Sequence, residues 1–117
     1  MRHLAKGKKF SRLRGSRISF MRNLANDVIR AGSAEMTETR AKAIKPVVEK
    51  LVTLAKKQTL ANRRVIISRV HNAKIAQKLY EELGPRYAER KGGYLRISKI
   101  QKARKRDGVR MAKIEFV

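Results

Sequence analysis

The chain has 117 residues, of which 31 are Lys or Arg and 9 are Asp or Glu, so its formal net charge is +22. This length suits a single domain, and the 42% of hydrophobic residues argues against disorder of the whole chain. No cysteine is present, which excludes disulfides, thiolate zinc sites and thiol nucleophiles. No apolar run approaches the length of about 18 residues that a membrane span needs. Because so much positive charge opposes compaction, we expect a polyanionic partner, foremost a nucleic acid.

The excess charge is concentrated towards the two ends. Residues 1–26 contain eight basic residues and no acidic one, and residues 90–117 contain ten basic and two acidic residues. The longer middle segment, 27–89, contains thirteen basic and seven acidic residues. Basic ends around a compact centre are typical of chains that thread nucleic acid.

The first fifteen residues are predicted to form an extended, basic RNA-binding arm that becomes ordered on its partner, because they lack any apolar period. The remaining residues, 16–117, are predicted to form the globular domain. Its first helix begins with Ser16 as N-cap and ends at Gly32. The apolar stripe of this helix is Ile18, Met21, Leu24, Ala25, Val28 and Ile29.

Residues 33–37 form either a short strand or a loop before the second helix, which is predicted over 39–57. Thr37 or Thr39 caps that helix, and Pro46 predicts a kink or a break just before it. A third helix is predicted over 60–71, and its inward face is Val65, Ile66 and Val70.

Asn72 is predicted to cap a fourth helix, 73–83, which Gly84-Pro85 ends. Two strands follow, 94–102 and 109–117, joined by a basic loop with Asp107-Gly108 as its turn signal. The order is helix, short strand, three helices, β-hairpin. It predicts a single α+β domain in which helices pack on a small sheet.

Catalytic or metal-binding constellations are scarce. His3 and His71 lie far apart in the chain, and neither has an acidic residue at ligand spacing. His71 suits a capping or packing role, and His3 suits contact with phosphate or a base. Gly92-Gly93 lacks the spacing of a phosphate loop and suits a turn before a strand. We therefore predict no enzyme activity, no cofactor and no small-molecule substrate.

Basic residues suited to phosphate binding are plentiful. Tyr87 and Tyr94 lie beside arginines, and two interpretations stay open for them: stacking on RNA, or packing at the edge of the core. With few aromatic residues and scattered cations, the chain suits RNA bound through its backbone and shape. The predicted RNA-binding residues are Arg2, His3, Lys6, Lys8, Lys9, Arg12, Arg14, Arg17, Arg22, Arg40, Lys42, Arg63, Arg64, Arg86, Arg96, Arg104, Lys105 and Arg106.

Several stretches of the chain together form a recognisable pattern. They are the basic start 1–10, Met21-Arg22-Asn23-Leu24-Ala25, the segment 37–56 around Lys45-Pro46, Arg63-Arg64, the stretch 85–97 from Pro85-Arg86-Tyr87 to Arg96-Ile97, and the closing segment 111–117. In these stretches the chain resembles the bacterial large-subunit ribosomal protein seventeen family. The resemblance covers essentially the whole chain. Met36, Ala61, Leu95 and the Arg14-Gly15-Ser16 stretch depart from the family pattern. These departures bear on individual RNA contacts.

The resemblance implies helices against a three-stranded sheet, and a location on the cytoplasmic ribosome. It implies binding to large-subunit ribosomal RNA near the peptide exit region, beside neighbouring large-subunit proteins. The sequence thus favours a structural ribosomal protein. A DNA-architectural protein and a small RNA-processing enzyme are the alternatives. The first requires a dimer surface or an apolar wedge, and the second requires a cluster of His and carboxylate groups.

Overall fold

The computed structural model describes residues 8–117, which form the predicted α+β fold. Four principal helices pack on one three-stranded antiparallel sheet. In chain order the elements are α1 (Arg14–Ala31), β1 (Ser33–Thr37), α2 (Glu38–Lys56), α3 (Leu60–Val70), α4 (Ala73–Lys78), a π-helical turn (Leu79–Leu83), the short helix α5 (Gly84–Arg86), β2 (Leu95–Ile100) and β3 (Met111–Phe116).

The sheet has the order β1-β3-β2, so the segment 33–37 is a strand and the C-terminal hairpin supplies the other two. Ile114 of β3 lies opposite Ala34 on one side and Ile97 on the other. Ala112 and Ile114 are fully buried, whereas Lys113 and Glu115 alternate with them on the outer face. The alternation predicted for the last strand is confirmed.

The N-cap predicted for α1 is wrong by three residues. The helix begins at Arg14, with Leu13 at the N-cap position and no side-chain capping bond, so Ser16 lies inside the first turn. The predicted stop is confirmed, because Gly32 adopts a left-handed φ of 80° and its N–H donates to the carbonyl oxygen of Val28 at 2.9 Å.

In α2 the Thr37 side chain accepts a hydrogen bond from the N–H of Arg40 at 3.3 Å, which selects Thr37 over Thr39 as the cap. The helix continues through Pro46 without the predicted break. Ile44 and Val48, on either side of the proline, are fully buried. Their packing holds the helix together despite the hydrogen bond that proline removes.

Two expectations for α3 and α4 are corrected. Val65 faces outward with 36% of its surface exposed, while Ile66 and Val70 are buried as predicted. The helical path after Asn72 does not end at Gly84-Pro85, since it passes through the π-helical turn into α5. Pro85 occupies the first turn of α5, the part of a helix that tolerates proline best.

One hydrophobic core lies between the helices and the sheet. Its fully buried side chains include Val28, Ile29, Ile44, Val48, Val52, Ile66, Leu79 and Ile114. Asn26 is the buried polar residue of this region, and its Nδ2 donates to the Val70 carbonyl oxygen at 3.0 Å, which joins α1 to the end of α3. Within residues 8–117, no helix has the length and apolar character needed to cross a membrane.

Candidate nucleic-acid interface

Among residues 8–117, most of the predicted RNA-binding cations have no acidic partner. Between residues 8 and 117 four ion pairs form, and all are local: Asp27–Arg30, Glu38–Lys42, Asp107–Arg104 and Glu115–Lys113. Two predicted residues, Lys42 and Arg104, therefore share their charge with a carboxylate. The hydrogen bond from Lys42 lowers the pKa of Glu38. The other predicted cations among residues 8–117 form no ion pair, so they can bind phosphate without breaking one.

A cluster of aromatic rings and guanidinium groups fixes the chain just before α1. The ring of Phe20 lies 5.4 Å from that of Phe10, centroid to centroid. The guanidinium carbon of Arg12 lies 3.9 Å from the Phe20 centroid, and that of Arg40 lies 5.0 Å from it. These cation–π contacts bring together two predicted RNA-binding residues from different elements.

Beside this cluster, a cleft of about 730 Å³ opens between α1, α2 and α3. Among residues 8–117, four cations line it: Lys8, Arg17, Arg22 and Arg69. Ile18, predicted to face the core, instead lines this cleft with 48% of its surface exposed. The predicted apolar stripe of α1 therefore divides, its later residues entering the core and Ile18 facing the cleft.

Arg63 and Arg64 are exposed on α3, so both side chains are accessible to RNA. The guanidinium carbon of Arg63 lies 5.3 Å from the centroid of the Tyr80 ring. This contact orients one arginine along the surface and leaves its hydrogen-bond donors available.

The two interpretations of Tyr87 and Tyr94 are decided in favour of packing, since the residues are 4% and 2% exposed. Tyr87 Oη donates to the main-chain oxygen of Val117 at 2.7 Å, and burial raises its pKa. The pKa of Tyr94 is lowered by hydrogen bonding with Thr53 and then Lys56, whose Nζ lies 3.0 Å from the phenol oxygen. Neither ring is available to stack on a base.

Arg86 and Arg96 form no ion pair within residues 8–117, but both have other neighbours. Arg86 Nη2 donates to the same Val117 oxygen at 2.9 Å, so this side chain has a structural partner. Arg96 lies opposite Glu115 in the sheet register, on the outer face that also carries Lys113. Positive and negative charge are balanced on this part of the sheet.

The hairpin tip carries three predicted cations in unequal settings. Arg104 contacts both carboxylate oxygens of Asp107, at 3.0 and 2.5 Å, and this hydrogen bonding lowers the pKa of Asp107 to about 2. Asp107 also accepts the N–H of Val109 at 3.3 Å. Lys105 and Arg106 are exposed between them, so the Arg104–Asp107 pair shapes the loop that presents these two cations.

The remaining predictions divide by position in the chain. Lys9 and Arg14 are exposed near the start of α1. Arg2, His3 and Lys6 lie outside the described residues, so their roles stay predictions. His71 has a left-handed φ of 52° at the end of α3, which fits the predicted capping position. Within residues 8–117, no three His, Cys, Asp or Glu side chains come together as a metal site would require.

The candidates predicted from the sequence did not include Phe10, which lines the cleft together with Arg69. Phe10 was an isolated aromatic in a basic segment, whereas Arg69 shares with Arg63 and Arg64 the basic helix for which the sequence favours RNA contact. Their proximity depends on how α3 packs against α1, which is a long-range property. No local pattern in the sequence contains it.

A compact α+β domain with many unpaired surface cations belongs to the class of small basic proteins that bind polyanions. A family model, Ribosomal protein L17, matches residues 20–117. The large ribosomal subunit protein bL17 of Persephonella marina is 49% identical over the whole of this chain and 95% of its own length. The bL17 proteins of a Sulfurihydrogenibium species and of Dehalococcoides mccartyi are 45% and 43% identical to this chain over its whole length. The alignments cover 97% and 99% of those two proteins. The chain belongs to the ribosomal protein L17 family.

Proposed function

We propose that this chain is a structural constituent of the large subunit of the bacterial cytoplasmic ribosome, where it binds ribosomal RNA and stabilises the packing of RNA helices. Relatives that bear the name of a large-subunit protein align with all of it, the Persephonella marina protein at 49% identity. The positive charge of the chain neutralises phosphate where RNA segments approach one another.

The observation that carries this proposal is the spread of unpaired cations over separate surfaces. One group surrounds the start of α1, a second is Arg63 and Arg64 on α3, and a third is the hairpin tip with Lys105 and Arg106. A single RNA or DNA duplex groove meets one face of a protein. Cations on several faces suit a protein enclosed by folded RNA and held through backbone contacts.

The finer location is part of the same proposal. We place the chain near the peptide exit region of the subunit, in contact with neighbouring ribosomal proteins, and we assign it a binding role without catalysis. The neutral outer face of the sheet, where Glu35 and Glu115 accompany Lys113 and Arg96, is the surface best suited to a protein neighbour.

Sucrose-gradient fractionation of cells, with the protein followed by mass spectrometry, tests the assignment. We expect co-migration with the large subunit that persists through a high-salt wash. Recovery of the protein mainly with DNA, or mainly free, would exclude the ribosomal role. Cross-linking mass spectrometry of intact subunits then identifies the neighbouring proteins and tests the proposed location.

The contribution of α3 is testable by replacing both Arg63 and Arg64 with Ala. We expect lower occupancy on the subunit, with an unchanged circular dichroism spectrum, because both side chains are exposed. The matched control replaces Val65 and Ile67 with Ala, since these are exposed, uncharged residues of the same helix. Equal occupancy of the arginine variant and the wild type would remove α3 from the RNA interface.

A further inference from the structure

The cleft between α1, α2 and α3 combines an apolar floor with a cationic rim. Ile18 and Val47 line the floor with 48% and 37% of their surfaces exposed, and Met21 of α1 also lines it. A volume of about 730 Å³ falls within the range of roughly 300–1,000 Å³ that small-molecule sites occupy. The cleft is therefore large enough to receive one nucleotide.

The rim selects an anionic occupant. Lys8, Arg17, Arg22 and Arg69 line the cleft, no acidic residue lines it, and none of the four has an acidic group within 4.0 Å among residues 8–117. A phosphate alone would bind the cations but leave the apolar floor exposed to solvent. An apolar helix would bury four cations without partners, which is costly. A nucleotide satisfies both surfaces, because it carries a flat base and an anionic backbone.

Phe10 forms an aromatic wall of this cleft. Its backbone and that of Ser11 both have a φ of 53°, a left-handed conformation that is unfavourable for side chains of this kind. The Phe10 carbonyl oxygen accepts a hydrogen bond from Arg12 Nη1 at 3.1 Å, and the ring packs against Phe20. These contacts hold the ring at the edge of the cavity, where an unstacked base would meet it.

We propose that this cleft binds one unpaired nucleotide of the ribosomal RNA, with the base stacked on Phe10 and the flanking phosphates bound by Arg17, Arg22 and Arg69. This inference rests on the proposed function and assigns one nucleotide site within it. Among residues 8–117, Ser68 is the one uncharged polar side chain lining the cleft, and its Oγ already donates to the Val65 carbonyl at 2.7 Å. With the cations engaged by phosphate and this hydroxyl already bonded, the site accepts any base.

Phe10→Ala in the full-length protein tests the stacking wall. We expect a loss of affinity for bacterial large-subunit ribosomal RNA of about tenfold, the order expected for one base–aromatic stack. Phe10→Trp should restore the affinity. The matched control is Leu13→Ala, which truncates a neighbouring side chain that is 85% exposed and outside the cleft lining, and which should bind like the wild type. Equal affinities for Phe10→Ala and Leu13→Ala would overturn the proposal.

A second variant fills the cleft without removing any side chain that the site uses. Ala43 lines the cleft from α2 and is partly exposed, so Ala43→Phe places an aromatic ring where the base would lie. We expect a similar loss of affinity at an unchanged melting temperature. Wild-type affinity of Ala43→Phe would overturn the proposal even if Phe10→Ala altered the fold.

Ultraviolet cross-linking of the wild-type complex, followed by peptide mass spectrometry, locates the RNA directly. Cross-linked nucleotides on Phe10 or Met21 support the site. Cross-links confined to Arg63, Arg64 or the hairpin tip would exclude the nucleotide site while leaving the ribosomal function intact. Absence of any RNA cross-link would contradict both, and an acidic protein segment cross-linked into the cleft of intact subunits would replace the RNA as its occupant.

Discussion

Asn72 joins α3 to α4 and caps the second of these helices. Its Oδ1 accepts hydrogen bonds from the N–H groups of Lys74 at 3.0 Å and Ile75 at 3.2 Å. Asn72→Ala removes both acceptor contacts, and we expect the free energy of unfolding to fall by about 1 kcal/mol. Urea denaturation followed by circular dichroism measures the change. Asn23→Ala, at an exposed position of α1, is the control and should leave the free energy unchanged within about 0.5 kcal/mol.

The hairpin tip provides a pH-dependent prediction at the scale of one residue. Hydrogen bonding from Arg104 lowers the pKa of Asp107 from 3.8 to about 2 in the folded protein. The Arg104–Asp107 pair therefore contributes its full stabilisation of the folded protein above pH 3.8, and this stabilisation is lost as the pH falls through about 2. Nuclear magnetic resonance titration of the Asp107 carboxyl carbon measures this value. In Arg104→Gln the pKa should rise towards 3.8, and an unchanged titration would show that Arg104 is not its cause.

Among the elements, the helical path from Ala73 to Arg86 depends on one glycine. A Cβ atom on Gly84 would collide with the carbonyl oxygen of Ala55 and lie 2.8 Å from its carbonyl carbon. Gly84 is buried, so α5 packs directly on the backbone at the end of α2. Gln58 strengthens this junction, because its Nε2 donates to the carbonyl oxygens of Ala55 at 2.8 Å and Tyr80 at 3.0 Å.

Gly84→Ala should therefore lower the free energy of unfolding by about 3 kcal/mol, since backbone atoms must move to accept the methyl group. Gly15→Ala is the matched control. Gly15 lies in α1, where an added methyl group would have no neighbouring atom within 4 Å, and the change should leave stability equal or raise it by up to about 1 kcal/mol. Equal melting temperatures for the two variants would contradict the close approach of α5 to α2.

At the scale of the whole molecule, the charge of +22 should appear in the salt dependence of RNA binding. Each phosphate contact contributes about 0.7 to 0.9 to the slope of log affinity against log salt concentration. Replacing Lys105 and Arg106 with Gln should make that slope shallower by about 1.5. Lys113→Gln removes a cation that pairs with Glu115 at 3.7 Å on the outer sheet face, and should leave the slope unchanged. A double variant with the wild-type slope would show that the tip does not contact phosphate.

Local signals in the sequence predicted most of the elements and the class of partner. The stop at Gly32, the cap at Asn72 and the alternation of Ala112 and Ile114 depend on neighbouring residues alone, and all are confirmed. The family resemblance is confirmed by relatives that align with the whole chain. The net positive charge can be calculated from the sequence alone, because it is a sum over residues.

Only the tertiary structure decided the features that depend on packing between distant segments. Pro46 lies in an unbroken helix because buried neighbours outweigh the lost hydrogen bond. Position 84 requires glycine because the backbone of α2 at Ala55 leaves no room for a Cβ atom. Ile18 of α1 and Arg69 of α3 line one cleft, which only the packing of these helices brings about. The sequence by itself determined the charge, the helix and strand periods and the family. Which cations stand together around an apolar floor was decided by the packing of α1, α2 and α3, since residues far apart in the chain meet only there.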